Sequence, residues 1–63
     1  MRKTYWKAAH YRVLYSKDLQ IDTWDYDDLR SAEKAYWQLT NFDKCMILQV
    51  WSNNVKCVHE RSA

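Results

Sequence analysis

The chain contains no glycine and no proline. Without glycine it cannot build the phosphate-cradling loops of P-loop or dinucleotide-binding proteins, whose turns need a residue without a side chain. Flexible glycine-rich linkers and proline-rich recognition segments are excluded as well. Long apolar runs are also missing. The longest uncharged stretch, Cys45 to Val55, falls far short of the ~20 residues that span a bilayer, so no membrane association is expected. The first twenty residues carry Arg2, Lys3, Lys7, Arg12, Lys17 and Asp18 and no continuous apolar segment, which argues against a secretory signal. Only two cysteines occur. Without such a signal they read as free thiols of a cytoplasmic protein.

What the chain has in excess is aromatic surface: four Trp, five Tyr and one Phe among 63 residues. A single domain spanning 1–63 buries only ~60% of the surface its unfolded chain exposes. Fully burying every ring, at ~150–250 Å² each, would take most of that interior. Some rings are therefore expected at the surface.

The net charge of +2 conceals a block pattern. Residues 1–17 hold five bases and no acid, whereas residues 18–28 hold Asp18, Asp22, Asp25, Asp27 and Asp28 and no base. If these blocks pair as neighbouring strands they largely neutralise each other, which weakens the case for a uniformly basic nucleic-acid face.

Tyr5 to Ser16 is rich in aromatic and β-branched residues and reads as a strand. Ser16-Lys17-Asp18 is a turn signal, followed by a second strand from Leu19 to Trp24. A three-residue loop sets Tyr15 opposite Leu19, Val13 opposite Ile21 and Arg12 opposite Asp22, matching apolar with apolar and base with acid. This register is favoured over a two-residue loop. Asp27-Asp28 then opens a helix, since aspartate accepts from the free amides of the first turn. Leu29, Ala32, Ala35, Tyr36 and Leu39 form its apolar stripe, and Thr40-Asn41 is its expected end. Lys44 to Trp51 is apolar on both faces and suits an inner strand. Ser52-Asn53-Asn54 is a turn, and Val55 to Glu60 a last strand.

The predicted fold is α+β: two layers in the order ββαββ, with one helix on one face of a four-stranded, mostly antiparallel sheet. One short helix covers one face only. The other face is expected to carry some of Trp6, Trp24, Tyr26, Ile47 and Trp51.

Catalytic and metal constellations are weak. Cys57 and His59 stand two apart, on one face of a strand, but no orienting acid or oxyanion donor accompanies them. Cys45, Cys57, His10 and His59 are the only soft zinc ligands and lack CxxC or HxxxH spacing. The run from Asp22 to Glu33 matches a calcium loop poorly, with Trp24, Tyr26 and Asp27 at positions that need oxygen ligands or glycine. A Cys45–Cys57 disulfide is not expected, because Cys57 falls opposite Gln49 or Val50, too far along the strand. No cofactor and no enzymatic activity are expected.

The expected function is a protein–protein interaction module acting through an aromatic sheet face. Its partner-binding residues would be Trp6, Trp24, Tyr26, Trp37 and Trp51, because such rings dominate interface energetics. The partner would be another protein or a second copy, giving a homodimer. By analogy of size alone, accessory proteins of phages or mobile elements that inhibit a host protein fit this description. The alternative is a single-stranded nucleic-acid binder that stacks bases on rings beside Lys3, Tyr5, Lys7 and Arg12.

Overall fold

A computed structural model of the chain describes residues 9–63, so Lys3, Tyr5, Trp6 and Lys7 lie outside the described residues. The elements follow in the expected order: β1 (His10–Lys17), β2 (Gln20–Tyr26), α1 (Leu29–Trp37), β3 (Lys44–Trp51) and β4 (Asn54–Ser62). One four-stranded sheet has the order β2-β1-β3-β4, with every neighbouring pair antiparallel. β2 and β3 therefore run parallel to each other on either side of β1, and α1 carries the chain between them over one face. The fold is the two-layer α+β arrangement that the sequence pattern implies.

The helix starts where its cap permits. Asp28 has extended backbone, and its carboxylate accepts from the Ser31 amide at 2.9 Å and the Ser31 hydroxyl at 3.0 Å. These bonds, the amide first, hold the Asp28 carboxyl below its ordinary value of 3.8. A lowered folded-state value means stability that is complete above the ordinary carboxylate range and lost as pH falls through the lowered value. Denaturant melts of wild type and Asp28→Asn should therefore diverge above pH 4 and converge in stronger acid. Parallel curves across that range would contradict the assignment. The helix ends at Trp37, with Gln38 as its cap, earlier than the expected Thr40-Asn41. Asn41 does adopt the left-handed conformation (φ 59°), but in the loop beyond.

Packing follows from the stripe. Ala32 and Tyr36 are buried on the sheet against Val13 of β1 and Cys45 and Ile47 of β3, all five without solvent exposure. Tyr11, Tyr26, Leu29, Leu39, Phe42 and Val58 pack around this centre. The small Ala32 lets the helix axis approach the sheet, and Tyr36 fills the space one turn later. Arg30 and Lys34 lie on the solvent side.

The β1–β2 hairpin differs from the expected register. Lys17 pairs with Gln20 and Val13 with Trp24, so the turn is Asp18-Leu19, both with positive φ (50° and 68°). Two such residues suit the type I′ turn, whose twist matches that of the strands. Leucine adopts this conformation at a cost of ~1–2 kcal/mol. The offset comes from Asp43: its carboxylate accepts the Asp18 amide at 2.8 Å, and its own amide donates to the Ser16 carbonyl at 2.8 Å. Tyr15 Oη and Lys17 Nζ reach the backbone and side-chain oxygens of Asn41 at 2.9 and 3.3 Å. The hairpin is thus fastened to the loop that leads into β3.

Candidate interaction surface

An odd-numbered slip of register turns every side chain of a strand to the opposite face. The slip from the expected pairing is odd, and its consequence runs through the site. Val13 is fully buried under the helix and pairs with both Trp24 and Ile47, so these three share the helix side. Tyr26, opposite Tyr11, lies there too, as does Trp51, four residues beyond Ile47 on β3. The expectation that the uncovered face carries Trp24, Tyr26, Ile47 and Trp51 is therefore corrected. Ile47 is core, and the tryptophans rim the helix side, with Trp24 44% and Trp51 46% exposed. Trp37, on the flank of α1, is 54% exposed. The structure does not bring these rings into one patch on the open face.

The open face carries an aliphatic stripe between polar flanks instead. Across it run Asp25, Arg12, Leu48 and Cys57 in one row, then Thr23, Leu14, Met46 and Glu60 in the next. His10, Val50 and Val55 lie beyond the first row, and Ile21, Ser16, Lys44 and Ser62 beyond the second. Ile21, Leu14, Leu48 and Val55 form a diagonal from corner to corner, with Met46 and Val50 beside it. Ile21 and Val55 are 64% and 63% exposed. None of these six packs in the cluster under the helix, and no described element lies over them.

Two ion pairs flank the diagonal on opposite sides. Arg12 Nε donates to Asp25 Oδ1 at 2.8 Å and Nη2 to Oδ2 at 3.4 Å, while His10 Nε2 lies 4.0 Å from the same carboxylate. The Arg12 hydrogen bond holds Asp25 below the ordinary carboxylate value, and Asp25 in turn raises Arg12. Across the diagonal, Lys44 Nζ sits 3.1 Å from Glu60 Oε2. The acid that meets Arg12 is Asp25, and the expected Asp22 pairs with Tyr15 on the other face. Arg12 and Asp25 thus form a surface ion pair in which the two charges offset each other.

The expected Cys57–His59 pair is also corrected. A bulge in β4 sets Leu48 opposite Cys57 but Ile47 opposite His59, so the two side chains take opposite faces. Cys57 Sγ donates to the His59 carbonyl at 3.4 Å. The His59 ring instead lies over the helix side, with Nε2 3.0 Å from Glu33 Oε2, and stacks on Tyr36 at 5.7 Å between centroids. Cys57 falls opposite Leu48, not Gln49 or Val50, and both cysteines are free, Cys45 being buried under the helix. Among the described residues no three His, Cys, Asp or Glu side chains converge as a metal site would require. Nor is any described helix long and apolar enough to cross a membrane.

A cluster that the sequence did not suggest joins β4 to α1. The Arg61 guanidinium carbon lies 4.7, 4.8 and 4.9 Å from the ring centroids of Tyr36, Trp37 and Phe42, and its Nη2 donates to the Tyr36 carbonyl at 2.9 Å. Trp37 meets Tyr36 edge-on at 4.8 Å. The only sequence signal was the alternation of His59 and Arg61 facing Glu33, Tyr36 and Trp37 on one flank of the helix. These contacts fasten the helix to β4.

In comparisons with known proteins, the chain matches no family model, no curated protein and no solved structure.

Proposed function

We propose that the protein is a non-enzymatic protein-interaction module that docks through the open face of its sheet. The observation that carries this reading is the aliphatic diagonal Ile21–Leu14–Leu48–Val55 with Met46 and Val50 at its side, uncovered by any described element. Antiparallel sheets commonly leave one face to solvent, and that face is then polar. Here its centre is apolar and its charges are already paired in two balanced couples, so it favours an apolar partner surface over a polyanion. Contiguous exposed apolar patches of this kind mark binding sites.

Site-specific photo-cross-linking tests the reading. With a photoreactive residue at Met46 in the centre of the face, and in a control at Lys34 on the outer side of the helix, only the Met46 probe should cross-link efficiently to protein in cells. Cross-linking to nucleic acid, equal yields from the two positions, or no product from Met46 would each overturn it.

A further inference from the structure

We infer that Leu19, at the tip of the β1–β2 hairpin, is an anchor that inserts into an apolar pocket with a basic rim on another protein. The inference does not rest on the open face. Three observations carry it.

The first is exposure. Leu19 is 101% exposed, whereas Ile21 and Val55, the next among the described large apolar residues, are 64% and 63% exposed. Single exposed apolar side chains are ordinary on protein surfaces, so exposure alone decides nothing. The second is conformation. Leu19 has φ 68°, in the second central position of a turn that glycine or asparagine normally fills. A leucine there is unfavourable through its backbone and gains nothing from burial. Strain of this kind persists only where the surroundings impose it, and it concentrates at functional sites and ligand clamps.

The third is what imposes it. A three-residue loop would set Leu19 opposite Tyr15, on the helix side and within a strand. The structure instead withdraws it into solvent. Asp43 accepts the Asp18 amide at 2.8 Å and donates its own amide to the Ser16 carbonyl at 2.8 Å. Tyr15 and Lys17 add bonds to Asn41 at 2.9 and 3.3 Å. Four bonds thus hold the stem of the turn against the loop before β3. A side chain presented on a fixed backbone has little freedom left to lose on binding, which is the advantage of preorganisation.

Shape and charge select the occupant. One leucine standing clear of the surface fits a concave apolar pocket. A flat apolar surface or a lipid layer would have to desolvate Asp18 and Gln20 beside it, which is costly. Asp18, Asp22 and Asp43 stand around the tip against Lys17, and Lys17 is engaged by Asn41. The next base, Lys44, is taken by Glu60 at 3.1 Å. The pocket rim that complements this tip is therefore basic.

The test has two arms. Leu19→Asn, which suits a left-handed turn, should raise the Tm by roughly 5–10 °C. A fall would show that the leucine serves the fold, and would overturn the inference. The second arm places a photoreactive residue at the exposed Gln20, in the wild-type, Leu19→Met and Leu19→Asn backgrounds, and irradiates cells that express each chain. The wild-type background should give one protein adduct. Its yield should persist within about two-fold in Leu19→Met and fall by ~10- to 100-fold in Leu19→Asn, the range expected for losing a buried leucine. Asp22→Lys should lower the yield too, and an unchanged or higher yield overturns the basic rim. Equal yields from the wild-type and Leu19→Asn backgrounds, no adduct, or an adduct with nucleic acid or a second copy would each overturn the anchor. If Met46 captures nothing while the Gln20 adduct depends on Leu19, the open-face reading falls and this one stands.

Discussion

Tyr36→Ala should leave the chain largely unfolded, whereas Tyr36→Phe should fold at least as well as the wild type. Tyr36 is the largest fully buried side chain and the one helical residue that touches the core, the β4 cluster and Trp37 together. Truncating a buried aromatic ring to alanine typically costs ~3–5 kcal/mol. At ~0.05–0.15 kcal/mol per residue a chain of this length holds only ~3–9 kcal/mol in all, so the loss is comparable to the whole. The hydroxyl is a separate matter. It is buried without a hydrogen-bond partner, and such a group costs ~1–3 kcal/mol to keep from water. Removing it while keeping the ring should therefore be neutral or stabilising by about 1 kcal/mol. The pH dependence supplies an independent check. Burial pushes the phenol above its ordinary value of 10.0. The sign follows: stability from the neutral phenol is complete below pH 10 and lost as pH rises through the higher folded-state value. Urea melts at neutral and alkaline pH should show a steeper alkaline loss in wild type than in Tyr36→Phe. A phenylalanine variant clearly less stable than wild type at pH 7 would reveal a hydrogen bond from the hydroxyl and sink the account.

The parts of this fold legible from sequence are those decided within a few residues. Asp28 marks a helix start because its side chain reaches the amide three residues on. Ala32 and Tyr36 mark the buried stripe because four residues make about one turn. Lys44–Trp51 reads as an inner strand because apolar residues occupy both of its faces, and it is indeed flanked by β1 and β4. What could not be read was decided far away in the chain. Leu19 is a poor choice for a left-handed turn, and no local rule would place it there. Asp43, which holds the amide of the preceding residue, is twenty-five positions from Asp18. That one misplaced turn reversed the faces of Trp24, Tyr26 and Ile21, while the pairing of β3 with β1, equally remote in sequence, set Ile47 and Trp51 on the helix side. The β4 bulge is equally silent in the sequence, since no glycine marks it, yet it separates Cys57 from His59 and lets Val58 join the core.

The same distance effect explains why sheet and helix hold together unevenly, and where the second large loss should fall. α1 lies over β1 and β3, while β4 reaches the helix chiefly through the long side chains of His59 and Arg61. Each strand edge has its own defence: β4 carries the bulge, and β2 ends in the acidic connection before Asp28. The fastening of β4 onto the helical layer thus depends on a few contacts, of which Arg61 supplies the most.

Arg61→Ala should cost about 2–3 kcal/mol, the sum expected for a partly buried cation over aromatic faces plus its bond to a helix-end carbonyl. For a domain of this size that corresponds to a fall in Tm of roughly 10–20 °C. Arg61→Lys should recover less than half of it. A guanidinium is flat, can lie across Tyr36, Trp37 and Phe42 within 4.9 Å of each centroid, and still points Nη2 at the Tyr36 carbonyl. An ammonium is a compact, strongly hydrated point charge and cannot do both. The loss should also be local before it is global. Amide exchange in β4 from His59 to Ser62 should accelerate at denaturant concentrations where Val13 and Ile47 remain protected, because those two lie under the helix and do not depend on Arg61. If lysine restores full stability, charge alone holds β4 and the planar stacking contributes nothing. If protection is lost uniformly across the sheet, the cluster is part of the main core and β4 is no separate layer of stability.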